Sequence, residues 1–319
     1  MLLITKIKNY LIFAFILNIA CSSEVPDKII IQIKSVNNKS DIDFYSSQSI
    51  MTDPGKYAYL YQELPIEVSK LCEIVQGLLI HEAHTHLYGV NISNKRIEKE
   101  IKIRKVEAML DRIMELDNRK IFEAREPQNR LVGNCRDFSV LLCSFLRHKK
   151  IPARARVGYE NYSNSWLHGD HWICEYLDVE QTRWIQVDAQ LDAIQLRSFN
   201  IKFDPLDLPD NKFIVAGKAY KMCITNNANP DNFGVDYNLR GLGHIKGNLI
   251  LDFLALNKLE LLPWDQVEVI NSIRYSSTEK SALPDSISIF EISKPFGFEE
   301  IQNLYYSYTD LRMQLIWKP

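Results

Sequence analysis

The chain has 319 residues, 46% of them hydrophobic and 11% aromatic, with 38 Lys+Arg against 40 Asp+Glu. Enough apolar and aromatic surface is present to exclude a disordered chain. A net charge of -2 supplies no basic field of the kind phosphate backbones demand, so no nucleic-acid partner is expected.

The N-terminus differs from the rest. Lys6 and Lys8 precede the apolar run Tyr10 to Ala20, YLIFAFILNIA. The run is shorter than the roughly 20 residues of a membrane span but suits the hydrophobic part of a signal sequence. It stops at Cys21, and LNIACSS resembles a bacterial lipobox: Ala20 fits the small residue before a lipidated Cys, and Asn18 departs from the pattern. Residues 1–20 are therefore expected to be a lipoprotein-type signal peptide, with Cys21 the lipidation site. The product would be a cell-envelope protein, lipid-anchored or secreted, touching the membrane only through that anchor. A hydrophobic helix kept on a cytoplasmic protein is the alternative.

Residues 21–56 are polar and Ser/Asn-rich apart from KIIIQIK and read as a linker or peripheral segment, with the main domain at 57–268. Residues 65–80 open with Pro65 and space Val68, Leu71, Cys72, Val75, Leu78 and Leu79 as a packing helix. Residues 96–117 repeat the pattern with Ile97, Ile101, Val106, Leu110, Ile113 and Leu116. Between them HEAHTH carries His81, His84 and His86. A metalloprotease helix needs His four residues apart, and here the residue four beyond His81 is Thr85, so a solvated helix end is expected and no metal. Cysteines at 21, 72, 135, 143, 174 and 223 show neither zinc spacing nor a disulfide rhythm.

Residues 131–192 carry the chemistry. Asn134 reads as an N-cap with Asp137 as its capping-box partner, which makes Cys135 the first residue of a helix with an apolar stripe of Phe138, Leu141, Leu142, Phe145 and Leu146. A helix N-terminus favours thiolate, the first requirement of a nucleophilic Cys. ARARVGY then alternates as a strand, while HWICEYLD and RWIQVDAQ read as an antiparallel hairpin. A turn centred on Val179 and Glu180 would set His171 opposite Asp188, on one face. Cys, imidazole and carboxylate together have the logic of a nucleophilic triad.

The segments GNCRDFSVLLCSFLRHKKIPARARVGY, DHWICEYL and RWIQVDAQLD resemble the core of the transglutaminase-like superfamily: a Cys helix, an IPAR-V-G strand, a His-Trp strand and a Trp-x-x-Val-Asp strand. FDPLD, VAGKAY and GNLILDFLALNKLELLPWD look like an uncharacterised bacterial subgroup. The resemblance implies an α+β, papain-like fold, with a Cys-bearing helix packed on an antiparallel sheet, N-terminal helices and a mixed C-terminal extension. It carries the triad onto Cys135, His171 and Asp188. The implied activity is thiol-dependent acyl transfer on a peptide, protein or amide substrate, hydrolysis slightly favoured, without a cofactor. The alternative is a non-catalytic polypeptide-binding module using the same cleft.

His168 and Trp172 are expected to line that cleft, and Gln128 or Asn129 to join the Cys135 amide in an oxyanion hole. Residues 249–262 read as a buried helix. The extension 269–319 contains a strand-like SISIFEIS, and its Tyr305, Tyr306, Tyr308 and Trp317 read as surface-packing aromatics rather than a ligand platform.

Overall fold

The computed structural model describes residues 41–163, 166–265 and 298–307. The signal sequence, Cys21 and the SISIFEIS strand lie outside them, as do Tyr308 and Trp317. Among the described residues no helix is long and apolar enough to cross a membrane.

The compact unit holding the site begins at Asp43. Tyr45, Met51 and Thr52 are buried in it, so the segment expected to be peripheral up to residue 56 joins the core earlier. The Tyr45 hydroxyl donates to the Leu256 carbonyl, which ties this segment to a distant helix.

Helix α1 (Val68–Leu78) buries Leu71, Cys72, Ile74, Val75 and Leu78, and runs straight into strand β1 (Leu79–His81). The single helix expected over 96–117 is two, α2 (Asn94–Glu100) and α3 (Val106–Leu116). The break has a polar cause. The buried Glu100 carboxylate accepts from Arg96 Nε, Arg112 Nε and the Val132 amide, and those donors lie on three different elements. Val132 belongs to β2 (Leu131–Gly133), which pairs in parallel with β1 so that Leu79 meets Leu131 and His81 meets Gly133.

Helix α4 (Cys135–His148) is buried on nearly every side, Arg136 and Arg147 included. Those charges are matched: Arg136 donates to Asp137 and to the Glu260 carbonyl, and Arg147 to the Glu260 carboxylate, Thr52 Oγ1 and the Ala153 carbonyl. The helix packs against β3 (Ala153–Glu160) and β4 (His168–Asp178), with Cys143 and Cys174 sulfurs in contact at 3.4 Å.

Strand β5 (Arg183–Val187) completes the hairpin, α5 (Ala193–Ser198) follows it, and β6 (Phe213–Val215) flanks β3. The sheet order is β5-β4-β3-β6, antiparallel throughout, with β7 (Phe233–Gly234) pairing in parallel with the start of β4. Gly158 is pressed between His171 and Val215, and a Cβ there would lie 2.3 Å from the Ile214 carbonyl oxygen. Only glycine admits that approach.

The hairpin register differs from expectation by two residues. Cys174 faces Val187 and Asp178 faces Arg183, rather than Trp172 facing Val187 and Tyr176 facing Arg183. The turn is longer because Asp178 Oδ1 accepts from the amides of Glu180 and Gln181, and Thr182 takes a left-handed φ of 53°. A slip of two keeps every side chain on its face, so His171 and Asp188 still share one, now as diagonal neighbours.

Helix α6 (Ala216–Ile224) and the long α7 (Leu242–Leu256) close the core, α7 beginning several residues before the expected 249. Asp252 of α7 grips β3 through both Arg156 nitrogens and the Val157 amide, and Glu175 on β4 accepts from Arg154 and Arg156. Helix α8 (Phe298–Ser307) packs Ile301 and Tyr305 into the core and leaves Tyr306 exposed.

Burial opposes the charge on Glu175, and Arg156 and Arg154 overcome it, holding the carboxyl well below its ordinary 4.5. Its contribution to stability is therefore complete above that pH and is lost as acid protonates the folded group. Glu175→Gln is expected to cost about 3–5 kcal/mol at neutral pH. The effect would be read as a lower urea midpoint at unchanged slope, the difference from the native chain shrinking on strong acidification.

Candidate active site

Asn134 sets the first turn of α4. Its Oδ1 accepts from the Arg136 amide at 2.9 Å, and its own amide donates to Asp137 Oδ2 at 3.0 Å, the reciprocal cap the sequence suggests. Cys135 follows as the first helical residue, partly exposed, and among the described residues its backbone N–H has no partner. That amide is one of the donors a helix start leaves free.

Two groups from β4 reach the sulfur: the His171 ring and the backbone N–H of Trp172. On its other side His171 Nε2 lies 2.9 Å from Asp188 Oδ2, leaving Nδ1 for Cys135. Asp188 stands just beyond β5, anchored by its amide on the Pro205 carbonyl. Its Oδ1 accepts from the Gln190 amide, and its Oδ2 also accepts from the Tyr162 hydroxyl at 2.5 Å. The Tyr162 ring stands edge-on to His171, 6.0 Å between centroids.

These contacts set the charges. Burial opposes the His171 imidazolium, and Asp188 together with the Cys135 contact outweighs it, so this histidine stays protonated well above its ordinary 6.5. Burial pushes the Cys135 thiol up, His171 pulls it down, and burial prevails. The lowered thiol pKa expected from the helix start is thus not the resting condition. Thiolate forms here as the partner of the imidazolium, a coupled pair rather than an independent acid.

Other residues were placed differently by the sequence. His168 stacks on Phe233 at 4.7 Å, and Trp172 is buried in the core, so the Trp172 amide rather than its ring meets the site. Gln128 and Asn129 sit in the turn before β2, at the end remote from Cys135. The three intervening strand residues span roughly 10 Å, and these two side chains do not fit the oxyanion role. At the near end is HEAHTH, which is no solvated helix end: His81 closes β1 beside Gly133, and Glu82–Tyr88 forms a 3₁₀ turn. Among the described residues no three metal-ligating side chains form a cluster.

Asp170 also borders the site, and its charge opposes ionisation of Cys135. Asn248 donates to its Oδ1 at 2.9 Å, and His244 Nε2 lies 3.5 Å from its Oδ2. Nothing in the sequence pattern singled out Tyr162 or Asp170.

Residues 90–189 match the family model of the Transglutaminase-like superfamily, an interval containing Cys135, His171 and Asp188. Among solved structures, one named "a Putative Cysteine Protease from Cytophaga hutchinsonii" is similar at 20% identity and a TM-score of 0.31. The likeness covers 55% of this chain and 45% of that one, so the chain spans less than half the length of that protein. No curated protein matches.

Asp188→Asn removes the group that raises His171, so the imidazole should titrate at lower pH and hold the thiolate less well. Alkylation of Cys135 by iodoacetamide at pH about 7 is expected to slow at least tenfold, with the His171 ring resonance titrating nearer its ordinary range. An unchanged alkylation rate would mean that Asp188 does not tune the pair.

Proposed function

We propose that this chain, which carries a transglutaminase-like domain, opens an amide or peptide bond through a thioester on Cys135. One observation carries the reading: a partly exposed cysteine at a helix start interacts with an imidazole whose Nε2 is held by a buried carboxylate. The family match supports a thiol-dependent enzyme in general.

Cys135 Sγ, as the thiolate paired with protonated His171, attacks the carbonyl carbon, and the carbonyl electron pair moves onto oxygen. Collapse breaks the C–N bond, and the departing amine takes the proton from His171. The thioester then yields to water or to a second amine, His171 removing the incoming proton. Asp188 keeps the ring oriented and offsets its positive charge throughout. These steps use no metal and no organic cofactor. Hydrolysis is the preferred outcome, because a protein exported as the first twenty residues suggest meets cell-wall peptides and extracellular proteins in excess water.

Near neutral pH Cys135 should alkylate faster than Cys72, Cys143, Cys174 and Cys223, which are all buried. With peptide, amide and ester substrates, Cys135→Ala should abolish turnover, and added hydroxylamine should divert product to the hydroxamate through the thioester. A Cys135 no more reactive than the buried thiols overturns the enzyme reading. For the envelope assignment, Cys21→Ser should remove palmitate labelling, and labelling that survives the substitution refutes lipidation at that residue.

A further inference from the structure

The acyl-enzyme reading leaves the developing oxyanion with one evident donor, the free Cys135 amide. A second is needed from the same side, reachable by a substrate oxygen. Two unpartnered side-chain N–H groups lie close by, Asn134 Nδ2 and Trp172 Nε1, but both atoms are sealed from solvent and meet no substrate. The strand pair β1–β2 offers another. A Cβ built on Gly133 would point at Asp137 Oδ2, 2.9 Å away, so this face of the pair looks onto the first turn of α4. In a parallel pair, residues in register share a face, and His81 is in register with Gly133.

The ring's chemistry suits the task. His81 Nδ1 accepts from the Ala83 amide at 3.2 Å, which leaves the proton of a neutral ring on Nε2. Among the described residues that nitrogen has no protein partner, and the side chain is partly exposed.

We infer that His81 Nε2–H is the side-chain donor of the oxyanion hole, completing with the Cys135 amide the pair that receives the carbonyl oxygen; the inference rests on the thioester reading above.

Burial, with the neighbouring His84 and His171, keeps His81 neutral to well below 6.5, so the tautomer is stable wherever the enzyme works. His84 lies against it at 4.7 Å between centroids. His81 precedes the residues that match the family model, so the assignment comes from strand register and not from the family.

The test separates this inference from its foundation. His81→Asn keeps an acceptor for the Ala83 amide but shortens the donor arm; His81→Gln restores much of the reach. Iodoacetamide alkylation of Cys135 builds no oxyanion, whereas acylation by an activated ester does. For His81→Asn, acylation is expected to fall about 10²–10³-fold while alkylation stays within about twofold, and His81→Gln should recover part of the loss. If His81→Asn acylates like the native chain, or loses acylation and alkylation in step, the donor role is wrong. If native Cys135 neither alkylates preferentially nor acylates, the thioester reading fails and takes this inference with it.

Discussion

The whole arrangement depends on seating one helix. Helix α4 carries the sulfur at its first residue and is buried along almost its full length, so its position is set by what neutralises Arg136 and Arg147. Glu260 answers both, with its carbonyl for one and its carboxylate for the other, from a segment more than a hundred residues away. Removing a partner would leave a guanidinium in the core, a far larger penalty than losing one apolar contact. This buried charge matching works as a constraint on register: α4 cannot slide along its axis without stranding a cation. The sulfur stays level with the start of β4 as a result.

A second set of buried ions holds the opposing wall. Arg154 and Arg156, the alternating arginines of ARARVGY, reach Glu175 on β4, and Arg156 also reaches Asp252 on α7. The strand that presents His171 is thereby fastened to its neighbour by charge as well as by ladder hydrogen bonds. Cys135, His171 and Asp188 come from α4, from β4 and from just beyond β5, and each joins the frame through buried polar contacts rather than apolar packing alone.

Much of this is legible in the sequence wherever the cause is local. The Asn134–Asp137 cap needs only residues three apart, and the same-face relation of His171 and Asp188 survives because it depends on parity, which a two-residue slip preserves. The slip itself comes from Asp178 capping a longer turn, a side-chain choice that alternation does not encode. The break between α2 and α3 is invisible to periodicity because Glu100 is drawn to a strand distant in sequence. HEAHTH shows the same limit most plainly. Its histidines were weighed against one helical template, yet β1 is a strand there, and its meaning lies in a parallel partner that sequence spacing does not reveal.

The electrostatics of the site set how the partly exposed Cys135 ionises. Burial alone would keep Cys135 protonated, as it keeps Cys72 and Cys174. Cys135 differs in its neighbours, since the His171 imidazole, held positive by Asp188, and the Trp172 amide both favour its thiolate, although burial still prevails. Directed contacts, rather than a diffuse positive field, are what favour the thiolate. An electrophile that cannot settle its developing negative charge beside the Cys135 amide gains little from that arrangement. Under the proposed thioester reading a carbonyl gains most, because the attack that consumes the thiolate would create an anion where the helix start leaves a donor free. On that proposal, selectivity for acyl chemistry would follow from placing Cys135 at the first residue of a capped helix, where one residue supplies both the sulfur and the free amide.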